Sequence, residues 1–158
     1  MSPDSACGVV QIGLVVADVE ATVAHYRRLL AVTEWFVNKV DSGNGKGEHF
    51  HNRGRPIKAR ALIAWTRLGN VELELIQPLD SDSVYAEFLR DHGPGVHHVM
   101  FEGKDLDATA ADFLSAGIPE LAGGDLQNTR FKMFDSQEQL GLICEFAEGG
   151  ELVPDGKI

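Results

Sequence analysis

One stretch of this chain is written twice. Residues 18–26 read Asp-Val-Glu-Ala-Thr-Val-Ala-His-Tyr, and 87 positions later (105 − 18) residues 105–113 read Asp-Leu-Asp-Ala-Thr-Ala-Ala-Asp-Phe. Asp, Ala, Thr and Ala recur in register, and Val/Leu, Glu/Asp and Tyr/Phe are close replacements. A duplicated unit explains this, and a repeat of that length constrains the fold more than any single motif.

Each copy reads as a strand followed by a helix. Residues 9–17, VVQIGLVVA, are apolar and β-branched, as a strand buried on both faces should be. Asp18 stands at the N-cap, with its carboxylate available to the orphan N–H groups of a first turn. Val19, Val23, Tyr26 and Leu30 follow at helical spacing. In the second copy Val96–Gly103 is the strand and Asp105 the cap. Leu106, Ala110 and Phe113 form the stripe, and Gly117 ends the helix.

Three further strands are predicted in the first half, at Val32–Val40, Ala59–Leu68 and Val71–Leu79, the last two joined by Gly69-Asn70 as a tight hairpin. The second half echoes them near Leu121, at Thr129–Asp135 and at Gly141–Ala147. The expected fold is therefore α+β, with two βαβββ modules from an internal duplication forming a cupped mixed sheet around a central cavity. Residues 1–80 make the first module, and 41–58 are its one long irregular loop. Residues 81–94 hold a connecting helix over Ser83–His92. Residues 95–148 are the second module, and 149–158 a flexible tail.

The chain carries 24 acidic against 14 Lys and Arg residues, a net charge of −10. That excess argues against a nucleic-acid partner, whose phosphates need a basic face. No apolar run nears the roughly 20 residues that span a bilayer. Met1-Ser-Pro-Asp-Ser is polar and acidic, unlike a secretory signal, and Cys7 and Cys144 form no CxxC pair. The expectation is a cytoplasmic protein with both thiols reduced.

Strand parity nominates the residues that face the cavity. Offset 87 carries Gln11 onto His98, and Glu74 and Glu145 occupy matching final strands. Taken singly, a Gln at a strand start is an ordinary polar residue, a strand His an ordinary core residue, and Glu72 or Glu74 a solvent-facing acid. Glu145, between Cys144 and Phe146, is harder to place in water, and a carboxylate in an apolar strand needs a proton, a partner or a cation. Together, Gln11, Glu74, His98 and Glu145 make an O/N ligand set for a divalent metal ion such as Zn, Ni, Co or Mn.

The pattern resembles the vicinal oxygen chelate superfamily, which includes glyoxalase I, methylmalonyl-CoA epimerase, extradiol dioxygenases and bleomycin-resistance proteins. The residues that carry the likeness are QIGLVVADVEATVAHYRRLL, VELELIQPL, GVHHVMFEGKDLDA and GLICEFAE. The joint from Pro78 to His98 looks like methylmalonyl-CoA epimerase. That family opens its first strand with a His, where this chain has Gln11, and places a second catalytic Glu on the third strand, where Ala59–Leu68 has no carboxylate. The Gln, Glu, His, Glu set looks instead like eukaryotic-type glyoxalase I, whose signature after the fourth strand is replaced by Ile76-Gln77-Pro78-Leu79. The resemblance implies proton abstraction next to a carbonyl on a small acyl or oxo substrate, an isomerase or lyase. Glu145 would be the main base and Glu74 the opposite acid/base. It also implies a homodimer.

The loop is the expected substrate-binding element. Lys46, Arg53, Arg55, Lys58 and Arg60 fall within 15 residues and would receive a carboxylate or phosphates, unless they only keep the loop soluble. His49 and His51, an HxH pair able to ligate metal, are read as lining or capping the cavity. Two other functions stay open at this stage. One is a metal-free module that sequesters a small hydrophobic or aromatic ligand, like the bleomycin-resistance relatives. The other is an Fe(II) extradiol-type dioxygenase, whose relatives use two His and one Glu.

Overall fold

The computed structural model describes residues 7–103 and 105–158, so the polar start at Met1–Ser5 lies outside the described residues. The first half contributes β1 (Val9–Val15), α1 (Val19–Leu30), β2 (Phe36–Asp41), β3 (Glu48–Asn52), β4 (Arg55–Pro56), β5 (Arg60–Leu68) and β6 (Val71–Pro78). Helix α2 (Val84–His92) crosses to β7 (Gly95–Phe101), α3 (Leu106–Ser115), β8 (Glu120–Leu126), β9 (Thr129–Phe134), α4 (Gln137–Leu140), β10 (Ile143–Gly149) and β11 (Gly156–Lys157).

All strands join one curved open sheet in the order β11-β2-β5-β6-β1-β7-β10-β9-β8-β3-β4. The two first strands of the repeat, β1 and β7, run antiparallel at its centre, and each has the last strand of its own half beside it in parallel. The local signals act as expected. Asp18 accepts from the Ala21 N–H, Asp105 from the Ala108 N–H and Ser83 from the Ala86 N–H, each satisfying an orphan donor of a first turn. Gly69, at φ 64°, turns β5 into β6.

Period-2 alternation divides the side chains between two faces. Ala64, Leu73 and Leu75 meet Val19 and Val23 of α1 and the fully buried Trp35. Phe134, Cys144 and Phe146 meet Leu106 and Ile118 on the α3 side. On the opposite face Val40, Phe50, Ala61 and Ile63 form the wall of a cup. Trp35 also trims the second predicted strand, because its indole donates to the Val32 carbonyl and takes the buried ring into the core, leaving residues 32–35 outside the sheet.

Two segments depart from expectation, and they do so reciprocally. The loop 41–58 is not irregular throughout. Its β3 pairs with β8, so a piece of the first half forms the far edge of the second. Gly123 and Gly124 in β8 permit this, since a β-carbon on either would stand 2.8 Å from the ring of His51 or Phe50. The tail 149–158 does not hang free. Gly156 and Lys157 pair with Val37 and Phe36. Asp155 accepts from the Lys39 N–H at 2.8 Å, and Asn38 donates to the Val153 carbonyl at 2.8 Å. Each half thus covers an edge of the other, which hides the unpaired backbone of β2 and β8.

Cys7 is exposed and Cys144 buried, and both are free. Among the described residues no helix is long and apolar enough to cross a membrane.

Candidate active site

Two rows of residues cross the floor of the cup. In one, Glu74 on β6, Gly13 on β1, His98 on β7 and Ile143 on β10 are register partners. In the next, two residues along, Glu72, Gln11, Met100 and Glu145 are partners. The rows share one face because strand side chains repeat every second residue. Gln11, Glu74, His98 and Glu145 are all buried, and all four come from one chain.

His98 is the centre of the group, and Gly13 makes room for it. A β-carbon on Gly13 would lie 2.1 Å from His98 Cε1 and 2.2 Å from Nε2, so the imidazole lies across a position only glycine can occupy. From there Nε2 stands 2.8 Å from Glu145 Oε2 and 3.6 Å from Glu74 Oε2. The nearer contact is close but not aligned as a hydrogen bond, so His98 Nε2 and Glu145 Oε2 are both buried without a satisfied partner. Each is the other's near neighbour and neither has a further hydrogen-bond partner, so the pair has bonding capacity left over.

The other nitrogen is engaged. His98 Nδ1 and His97 Nδ1 are 3.1 Å apart, so one must donate and the other accept. Burial drives the His97 pKa down to about 3, with His98 adding to it against a backbone hydrogen bond at Val84. His97 is therefore neutral, with its ring packed against Tyr85 and Phe88 of α2. A neutral His97 whose proton serves the Val84 backbone offers its Nδ1 as an acceptor, so His98 donates from Nδ1 and turns Nε2, protonated as well when the ring is charged, to the acids. For His98 burial also disfavours the charge, but Glu145 and Glu74 outweigh it and raise the pKa to about 10. Burial pushes the Glu74 carboxyl up from its usual range, while His98 pulls the other way.

Gln11 is present on the floor but turned sideways. Its Nε2 donates to Glu72 Oε1 at 2.6 Å, so Glu72 belongs to the group and holds the amide. Burial raises the Glu72 pKa, and that hydrogen bond moderates the rise. The sequence signal for Glu72 was its shared strand face with Glu74. The donor chemistry, one imidazole nitrogen and clustered carboxylate oxygens with two orphaned atoms, fits a divalent cation. Among the described residues, no three His, Cys, Asp or Glu groups are already spread around one point at ligand spacing. The His98–Glu145 contact is closed upon itself, as an imidazolium between two carboxylates would be.

The floor opens on a cavity of about 430 Å³. Its walls include Val40, Phe50, Ile63, Trp65, Tyr85 and Phe131. Phe50 comes from the loop, flanked by the two histidines expected to point inward, and strand parity turns those outward. His49 Nδ1 lies 2.6 Å from Asp125, and His51 Nε2 2.5 Å from Glu120. The loop arginines do not reach the cavity either. Arg53 pairs with Glu87 at 2.8 Å, Arg60 faces Asp41 at 3.7 Å, and Arg55 lies exposed on β4. The expected basic receptor for substrate thus lies on the surface, with Arg53 and Arg60 in ion pairs, and the loop's contribution to the cavity is apolar.

With the geometry established, known proteins place it. The family model described as "Glyoxalase/Bleomycin resistance protein/Dioxygenase superfamily" matches residues 10–132. The ethylmalonyl-CoA/methylmalonyl-CoA epimerase of Cereibacter sphaeroides is 27% identical over 115 residues, covering 72% of this chain and 74% of that protein. The crystal structure of methylmalonyl-CoA epimerase from Mycobacterium tuberculosis superposes with a TM-score of 0.64 at 21% identity, over 91% of this chain and 89% of the other. Streptomyces coelicolor methylmalonyl-CoA epimerase, solved with 2-nitronate-propionyl-CoA, superposes with a TM-score of 0.68 at 23% identity, over 94% and 98%. At such identities the superpositions establish a shared fold. The matched span holds most of the duplicated architecture, and this chain belongs to the glyoxalase/bleomycin resistance protein/dioxygenase superfamily, the vicinal oxygen chelate fold.

Proposed function

We propose that this protein is a divalent-cation-dependent isomerase or lyase that removes a proton from the carbon next to a carbonyl of a small acyl or oxo substrate. The observation that carries this reading is the buried group Glu74–His98–Glu145, whose Nε2 and Oε2 face each other without further partners at the floor of a cavity with aromatic walls. The epimerase names of the relatives support the same chemistry, since epimerisation at such a carbon exchanges that proton.

His98 Nε2, Glu145 and Glu74 would hold the cation, with Gln11 joining if its amide leaves Glu72. When bound, it would polarise the substrate carbonyl as a Lewis acid. The chain's own residues do the rest. Glu145 takes the proton from the substrate carbon, and Glu74, on the far side of His98, returns one to the opposite face or to the neighbouring atom. Met100 and the aromatic walls keep water from the carbanion. His97 keeps the His98 ring in one orientation. Charge balance is local: two carboxylates face one cation, and one of them changes protonation in each step.

The test is deuterium uptake. A 2-hydroxyketone incubated with the protein in heavy water should exchange the hydrogens next to its carbonyl, and metal analysis of the same preparation should find a stoichiometric divalent ion. A metal-free preparation of undiminished stability after EDTA, binding ligand without exchange, would establish the sequestering module instead. The Gln11–Glu72 hydrogen bond, which draws the amide away from His98, is the observation on that side.

A further inference from the structure

The charge lining the cavity is one-sided. Among the described residues that line it, Glu72, Glu74, Asp80, Glu145, Glu148 and Glu151 are acids, and Arg67 is the sole base. Arg67 is the register partner of Glu72 across β5 and β6, so each offsets the other's charge. Glu148 is paired with Arg130 at 2.6 Å. A divalent cation on Glu74 and Glu145 would neutralise those two. Asp80 and the exposed Glu151 would still present negative charge to the cavity. The chain as a whole, at −10, adds to that field.

The walls have the opposite character, being uncharged, flat and fixed. Trp65 stacks on Phe36 with centroids 4.6 Å apart, and its indole N–H is held by Asn38 at 2.9 Å. Phe50 on β3 and Phe131 on β9 pack together over the intervening β8, with centroids 5.9 Å apart. The orphaned Glu145 oxygen marks the end of the cavity where a ligand's polar atoms must arrive. An anion entering here would lose its water and meet like charge. A ring-bodied neutral molecule would bury apolar area against three aromatic side chains.

Building on the carbonyl chemistry proposed above, we infer that the substrate is an uncharged carbonyl compound with a flat apolar body. The cavity turns away phosphate- or carboxylate-bearing acyl carriers such as coenzyme A thioesters. In this respect the chain departs from the acyl-CoA compounds for which its relatives are named.

Calorimetric titration of the purified protein with 2-hydroxyacetophenone, its anionic near-isostere benzoylformate, and acetyl-CoA tests this. The neutral ketone should bind at least about tenfold more tightly than either anion, before and after EDTA treatment. The double variant Glu72→Gln with Glu151→Gln, checked for folding by circular dichroism, should narrow that ratio by strengthening benzoylformate binding. Equal or tighter binding of benzoylformate or acetyl-CoA overturns the inference, as does a neutral ketone that shows no saturable binding. An unchanged ratio in the folded variant overturns the electrostatic cause. Deuterium exchange at the hydroxymethyl carbon, read in the same samples, separates the two claims. Absent exchange with the neutral preference intact defeats proton abstraction alone, and exchange with an anion preferred defeats the present inference alone.

Discussion

Gly13 lies beneath the ring of His98, so close that a β-carbon there would overlap Cε1 at 2.1 Å. The two residues are register partners on the central antiparallel strands, where duplication has placed the first strand of each half side by side. The Gly13→Ala variant should therefore expel the imidazole. Overpacking of this kind costs about 1–3 kcal/mol, read as a lowered melting temperature. Deuterium exchange and cation binding should fall together with it.

Glu145→Gln should keep the fold and lose most turnover. The amide has the shape of the carboxylate but cannot take a proton, and loss of a general base typically costs about 10²–10⁴-fold. Heavy-water exchange on a 2-hydroxyketone measures it, with a melting curve as the folding control. Normal exchange in this variant would remove Glu145 from the proposed role.

Paired His98→Ala and Glu145→Ala substitutions should abolish bound metal, while Gln11→Ala should reduce its content less, because the Gln11 amide already serves Glu72 at 2.6 Å. Elemental analysis of protein purified without chelator checks the order. A larger loss for Gln11→Ala would show that the amide is the stronger ligand.

His97→Phe should weaken cation binding although His97 faces away from the cup. It removes the Nδ1 that lies 3.1 Å from His98 Nδ1, leaving the His98 tautomer free. Loss of such a supporting group typically costs about 10–100-fold in metal affinity. Titration with Co²⁺, followed by its absorption bands, reads this without reference to turnover.

The tail clasp should loosen in acid. The Asp155 carboxyl is held below the usual carboxylate range, chiefly by the hydrogen bond it accepts from the Lys39 N–H. Its folded pKa is depressed, so its contribution is present above the unfolded value and lost as pH falls through the folded one. Asp155→Ala should speed hydrogen exchange at the Lys39 amide near neutral pH, and the difference from wild type should vanish in strong acid. The effect is modest because the carboxylate is partly exposed and screened.

Much of this was written locally. The doubled Asp-x-x-Ala-Thr segment announced two copies of one unit, and Asp18 and Asp105 marked both helix starts, because capping and the periods of helix and strand involve residues a few positions apart. The same parity, carried across the repeat, brought Gln11, Glu74, His98 and Glu145 onto one face. Tertiary structure alone decided which strands meet at the edges. The pairing of β3 with β8 joins residues about seventy positions apart, and no local pattern in GNGKGEHFHNRGRP encodes it. That pairing turned Phe50 into the cavity and its histidine neighbours outward. Packing likewise decided that Glu72 holds the Gln11 amide and that Gly13 yields its volume to His98. Such choices belong to three-dimensional neighbours, whose identity is set by the whole sheet closing and not by the spacing of residues along any one strand.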